Sequence, residues 1–177
     1  MSADTGFPYV ARPDARVLIL GSMPSTASLA AARYYAHPRN AFWPIMGKLL
    51  GFDAARPYAE RLQALQDGGV ALWDVVHRCR RPGSLDASIR PDSVEANDFP
   101  VFFSEHAHIR AVCFNGATAA SLYRRHALPY LADPWRELPS HTLPSTSPAH
   151  AARSFGEKLA AWRRILDHLR EQPEQGA

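Results

Sequence analysis

The chain has 177 residues, with 20 Lys and Arg against 17 Asp and Glu, a formal net charge of +3 and 46% apolar residues. That length and apolar share fit one domain with a sizeable core and exclude a disordered chain, and no apolar run approaches a membrane span. Two cysteines, Cys79 and Cys113, stand in no CxxC spacing, which excludes a thiolate-held zinc or iron–sulfur site, so no metal and no other cofactor is expected.

Residues 1–15 are polar and carry Gly6, Pro8 and Pro13. They read as a loosely held arm, although Phe7, Tyr9 and Val10 are able to pack on a domain. They hold no apolar signal core, which points to a cytoplasmic protein. Val17-Leu18-Ile19-Leu20 is too short for a buried helix and reads as a buried parallel strand. Gly21 follows it at the corner into a loop, Gly21–Ser25. Thr26 to Tyr34 is a short Ala-rich helix, interrupted by Pro38. A second helix starts near Asn40 or Ala41. Asn40 is a good cap type there, and Pro44 is tolerated in a first turn.

Pro57 to Gln66 has helical spacing and stops at Gly68-Gly69. Val70 to Val76 is a second strand, left by a basic loop from His77 to Ser84 with Arg78, Arg80 and Arg81. Asp74, near the strand's end, either orients another group or is a plain strand-end carboxylate. Asn97 to His108 is a helix, and Ile109 to Phe114 a third strand ending in Asn115-Gly116. A helix from Ala117 to His126 makes that a strand-to-helix corner rather than a hairpin. Leu138 to Leu143 is a fourth strand, running into Pro144-Ser145-Thr146-Ser147-Pro148. The last helix spans 151–170, and 171–177 read as a disordered tail. Strands alternating with helices give an α/β fold, a three-layer α/β/α arrangement about a central four-stranded parallel sheet, in one domain over 16–170.

In such a sheet the carboxyl ends of the strands collect ligand-binding loops. Ser, Thr, Asn, His, Arg and aromatic rings gather there, while carboxylates, Lys and Cys are scarce. No P-loop, GxGxxG or GxSxG elbow is present. Rings and amides suit a flat, neutral heterocycle: rings stack on a base, and Asn side chains read its edge. The basic loop at 78–81 and the hydroxyls at 145–147 suit phosphates. The positive charges are nearly all Arg, with Lys only at 48 and 158. Arg is the better residue for forked phosphate contacts, but a GC-rich genome gives the same bias.

Three motifs resemble the uracil-DNA glycosylase superfamily, and most closely its hypoxanthine-DNA (deoxyinosine) glycosylase branch. Leu18 to Ser25 (LILGSMPS) resembles the first motif. Tyr34 to Trp43 (YYAHPRNAFW), the most specific of the three, resembles the segment that supplies a stacking ring. Leu143 to Pro148 (LPSTSP) resembles the loop that enters the minor groove. The resemblance covers about residues 16–166. It implies that Asn40 takes the catalytic role by holding a water, that Phe42 stacks on the extruded base and that Asn115 reads its edge. Backbone N–H groups of Gly21, Ser22 and Met23 would face developing charge, and His37 could protonate a leaving purine. Pro24 and Ser25, with Pro144, Ser145, Thr146 and Ser147, would contact the DNA backbone and prop the strand open. Two departures stand out: Met23 occupies the place of the usual first-motif Asp or Asn, and Leu143 that of a second-motif His.

The activity implied is monofunctional release of a deaminated base, hypoxanthine first, from single- or double-stranded DNA by a monomer in base excision repair. Uracil or xanthine as the substrate, a non-catalytic damaged-DNA binder on the same fold, and a hydrolase using Ser22 or Ser145 are the alternatives.

Overall fold

The computed structural model describes residues 2–170; the expected C-terminal tail lies outside them. Four parallel strands form the central sheet: β2 (Val17–Gly21), β3 (Val70–Asp74), β6 (Ala111–Asn115) and β7 (Ser140–Leu143), in the order β3-β2-β6-β7. Strand β2 lies at the centre and is buried along its whole length. Its residues alternate between two apolar layers, Leu18 and Leu20 to one side, Val17 and Ile19 to the other. A side-chain period of two is why a strand covered on both faces reads as an unbroken apolar run.

The first layer packs against α4 (Phe99–Glu105) through Phe99, Phe102 and Phe103, and against α5 (Ala117–His126) through Ala119, Ala120 and Tyr123. The second packs against α2 (Phe42–Leu50), α3 (Tyr58–Asp67), α6 (Phe155–Trp162) and α7 (Ile165–Leu169), with Phe42, Trp43, Ile45, Met46, Leu65, Trp162 and Ile165 as the core. This is the three-layer α/β/α arrangement expected from the strand–helix alternation.

Several elements differ from the sequence reading. The arm is tied down: β1 (Asp4–Thr5) pairs antiparallel with β4 (Val76–Cys79), and β5 (Glu95–Ala96) completes a second, three-stranded sheet. Val10 exchanges two backbone hydrogen bonds of 2.9 Å with Leu72, covering the open edge of β3. Tyr9 sets its ring edge-on to Trp73, Phe102 and His106. The segment read as a basic loop from His77 therefore begins as a strand, with Val76 and Cys79 buried and His77 and Arg78 exposed.

Helix α1 (Thr26–Ala31) stops early because Ala32 turns left-handed, at φ 52°. The final helix is two helices. α6 starts at Phe155 because Ser154 and Glu157 form a reciprocal capping box. It ends where the ladder tightens to i→i−3 bonds at Arg164, Leu166 and Asp167.

Candidate active site

The parallel register sets the strand ends side by side. Gly21 pairs with Asp74 across β2 and β3, and Asn115 with Leu143 across β6 and β7. A cavity of about 730 Å³ opens over this edge, within the range of small-molecule and cofactor pockets.

Gly21 is not left-handed; what its position demands is space. A Cβ there would collide with Asp74 Oδ1 and sit 3.1 Å from Tyr35 Oη. Its bare Cα lets a carboxyl and a phenol converge on the cavity floor. Asp74 is 4% exposed, and its Oδ2 has no hydrogen-bond partner. Burial, and secondarily the charge of Asp86, push its carboxyl up to about 7, against an opposing pull from the Arg81 guanidinium. Tyr35 holds a left-handed backbone at φ 54°, an uncommon state for an aromatic residue. Its ring stacks on Phe42 at 4.0 Å between centroids. Its hydroxyl is buried without a hydrogen bond of ordinary geometry, and burial followed by the Asp74 charge raises its pKa against an opposing pull from the nearby Asn115 amide.

The first loop is braced from below. Arg81, its side chain fully buried, donates from Nη2 to the Pro24 carbonyl at 2.6 Å, with Asp4 3.6 Å away. Ser22 Oγ donates to Asp86 Oδ1 at 2.6 Å. Ser25 Oγ accepts from the Ser28 N–H and caps α1.

On the opposite wall, Asn40 Oδ1 accepts from the Phe42 N–H at 2.9 Å in a local turn, one residue ahead of Ala41, which takes the N-cap position of α2 without a side-chain cap, and the amide NH₂ is left uncommitted. Asn115 is engaged twice by one residue: its Nδ2 donates to Thr146 Oγ1, and its Oδ1 accepts from the Thr146 N–H, both at 2.9 Å. The Thr146 carbonyl accepts from the Ala41 N–H at 3.0 Å, which couples the two Asn-bearing segments. Trp162 Nε1 donates to the Pro144 carbonyl at 2.9 Å, and Lys158 Nζ to the His150 carbonyl at 2.7 Å. The 144–150 segment is thus held at both ends.

Of the residues expected at the site, Gly21, Ser22, Met23, Pro24, Ser25, Asn40, Asn115, Pro144, Ser145, Thr146 and Ser147 all line the cavity. Phe42 and His37 do not. Phe42 is fully buried behind Tyr35, and His37 Nδ1 accepts from the Arg39 N–H at 3.1 Å in a local turn. Arg78, Arg80 and Arg81 are also absent from the lining. In their stretch of chain the wall is made by Ser84–Ala87, with Leu85 59% exposed at the mouth. The sequence reading left Asp74 ambiguous and missed Tyr34 and Tyr35 as the lining rings. It also missed Asp86, His150, Arg153 and Arg164, which carry no motif and reach the cavity from distant elements.

Over residues 7–170 the chain matches a family model described as the uracil DNA glycosylase superfamily. The chain belongs to that superfamily, and its class is DNA glycosylase. A relative from Methanosarcina acetivorans, named hypoxanthine DNA glycosylase, is 33% identical over 165 residues, covering 92% of this chain and 98% of its own. One of the same name from Methanosarcina barkeri is 37% identical over 112 residues, covering 63% of this chain and 70% of its own. A solution structure from Methanosarcina acetivorans, described as a candidate uracil DNA glycosylase, superposes with a TM-score of 0.75 at 31% identity, covering 93% of this chain and 99% of that one.

Proposed function

We propose that the protein is a monofunctional glycosylase of base excision repair that extrudes a deaminated nucleotide, hypoxanthine first, and hydrolyses its N-glycosidic bond. The observation that carries this reading is the convergence of Asn40, Asn115 and Tyr35 on one cavity at the strand ends. Relatives named for hypoxanthine support the choice of base.

A nucleotide must leave the duplex before its glycosidic bond can be reached. Leu85, exposed at the mouth, is the apolar side chain placed to fill the gap left behind. The Tyr35 ring, backed by Phe42, takes the stacking role that the sequence had suggested for Phe42. The bond between C1′ and the base nitrogen breaks with its electron pair going to the base. Water adds at C1′ and releases a proton. Asn40 positions that water; an amide is no general base at neutral pH, so its part is placement. Backbone N–H groups at Ser22 and Met23 and the second Asn115 amide hydrogen face the departing base. One such donor is worth roughly 3 kcal/mol in a site closed to water. Arg153 and Arg164 on the rim meet phosphates. The chain is read as a cytoplasmic monomer.

No lysine lines the cavity; Lys158 is spent on the His150 carbonyl. An abasic product without strand cleavage, and no borohydride-trapped adduct, is expected. The test is one panel of inosine-, uracil- and xanthine-containing oligonucleotides. Base release fastest from inosine supports the reading. Release from none of them overturns it.

A further inference from the structure

Asp74 Oδ2 and the Tyr35 hydroxyl are buried without a hydrogen bond of ordinary geometry, Tyr35 with the Asn115 amide beside it, and both residues line the same cavity. Burying a hydrogen-bonding group without a partner costs on the order of 1–3 kcal/mol, so native proteins leave few of them. Two together, at the end of the edge strand β3 and in a left-handed aromatic residue, are not explained by packing. Any apolar side chain would fill the space at less expense. Gly21 is the residue that gives both groups room. Asn115, the reader suggested by sequence, already has one donor and one acceptor committed to Thr146.

We propose that the Asp74 carboxyl and the Tyr35 hydroxyl are the base-edge recognition pair, completed by a ring N–H and its adjacent carbonyl oxygen on the extruded base. This rests on the glycosylase reading above. It names the groups that read the base and adds that one of them must be protonated. A protonated Asp74 accepts the ring N–H with one oxygen and donates from the other to the carbonyl. Tyr35 supplies a second donor to that carbonyl oxygen, where charge gathers as the glycosidic bond breaks. An ionised Asp74 would accept the N–H but repel the developing oxyanion.

The groups around Asp74 favour the neutral form. Tyr34 and Tyr35, from the segment between α1 and α2, bring no positive charge, and Asp86 across the mouth brings a negative one. Among the described residues, Arg81, under the first loop, is the cation acting against it. Asn97 is occupied with the Asp74 main-chain carbonyl at 2.7 Å. A hydrogen-bond donor kept neutral near pH 7 by its apolar site is a known way to stabilise an oxyanion.

The experiment uses the full chain in single-turnover release from an inosine duplex between pH 6 and 9. It adds binding to the same duplex carrying non-cleavable 2′-fluoro-deoxyinosine. The wild-type rate is expected to fall by about tenfold per pH unit above the Asp74 titration. Asp74→Asn, which keeps a donor and an acceptor but cannot ionise, should work within about tenfold of wild type at pH 6.5 and lose the alkaline decline. Asp74→Ala and Tyr35→Phe should each bind the analogue about 10- to 100-fold more weakly, with affinity for undamaged duplex unchanged.

A wild-type rate that rises with pH, or an Asp74→Asn protein that melts and binds like wild type yet releases no base at any pH, would make Asp74 a base and overturn the proposal. Unchanged analogue binding by both Asp74→Ala and Tyr35→Phe would overturn it too. Wild type that binds the analogue selectively but releases no base would sink the glycosylase reading alone. The recognition pair would then stand on the binding losses.

Discussion

Asn115 and Thr146 grip one another through two hydrogen bonds of 2.9 Å, closing a ring between the end of β6 and the loop after β7. Thr146 is 1% exposed, so its N–H and hydroxyl have no water to turn to. Asn115→Ala strands both, and a loss of roughly 1–3 kcal/mol in urea unfolding is expected. Thr146→Val removes only the hydroxyl and keeps the backbone bond, so about 1 kcal/mol is expected. The double variant should cost less than the sum, because both single changes break the same contact. Full additivity would mean the two residues act independently.

Asn40 carries a structural and a chemical duty that substitution separates. Its Oδ1 accepts from the Phe42 N–H just ahead of the Ala41 N-cap, which holds the entry to α2, and the residue lines the cavity. Asn40→Ala should lose about 1 kcal/mol of stability with that hydrogen bond. Base release should fall by about 10²-fold as the water loses its holder. Asn40→Ser restores an accepting oxygen without the amide. Its melting temperature should return towards wild type while its rate stays low. Recovery of both together would reduce Asn40 to a turn residue.

The pKa of Asp74 also bears on folding. Its carboxyl is raised to about 7 in the folded chain from an ordinary value of 3.8. Between those values the folded state holds a proton that the unfolded state has released, so stability declines as pH rises from about 4 to 7 and is then level. Asp74→Asn removes the ionisable group. Denaturant titrations should show the variant gaining on wild type across that window, with a difference on the order of a few kcal/mol at pH 8. A difference independent of pH would contradict the raised value.

Much of this site was legible because it stands where apolar runs stop. Val17–Leu20 and the run ending at Phe114 are buried on both faces, and each exits into a residue that faces the cavity. What escaped was decided by backbone states that leave no mark in composition. Ala32 and Tyr35 are left-handed without being Gly or Asn, and that turn sets Tyr34 and Tyr35, not Phe42, at the cavity. Tyr35 comes forward and Phe42 falls behind it, a choice that ring spacing does not encode. Asp74 stayed open between an orienting group and a plain strand-end carboxylate because its burial depends on Gly21 in a neighbouring strand. The second sheet was missed because two of its strands have two residues each, too few for any alternation to register.

Gly21 is a test of space rather than flexibility. Gly21→Ala places a methyl against Asp74 Oδ1, and neither backbone can retreat because β2 and β3 are paired along their lengths. The carboxyl must swing out of position, and base release should drop by about 10²-fold or more with a loss of a displaced donor's worth of stabilisation. Gly51→Ala is the control: its Cβ meets nothing, so any effect there comes from its left-handed φ of 78° and falls on stability alone. A Gly21→Ala enzyme with normal turnover would mean the Asp74 carboxyl has freedom to spare.

Leu85 separates duplex opening from chemistry. It is 59% exposed at the mouth, in a loop pinned by two hydrogen bonds, Ser84 Oγ accepting from the Thr26 N–H at 2.9 Å and Asp86 accepting from Ser22. An exposed leucine on a fixed loop has no packing role, and the gap left by an extruded nucleotide is an apolar slot between stacked bases. Extrusion costs a few kcal/mol in a duplex and little in a single strand. Leu85→Ala should therefore slow release from an inosine–cytosine duplex by roughly 10-fold or more, and leave the single-stranded substrate nearly unaffected. Stability should hold within about 0.5 kcal/mol, as for other surface changes. An equal loss on both substrates would place Leu85 against the base rather than in the stack. No loss on either would return the task of holding the strands apart to the 144–147 loop.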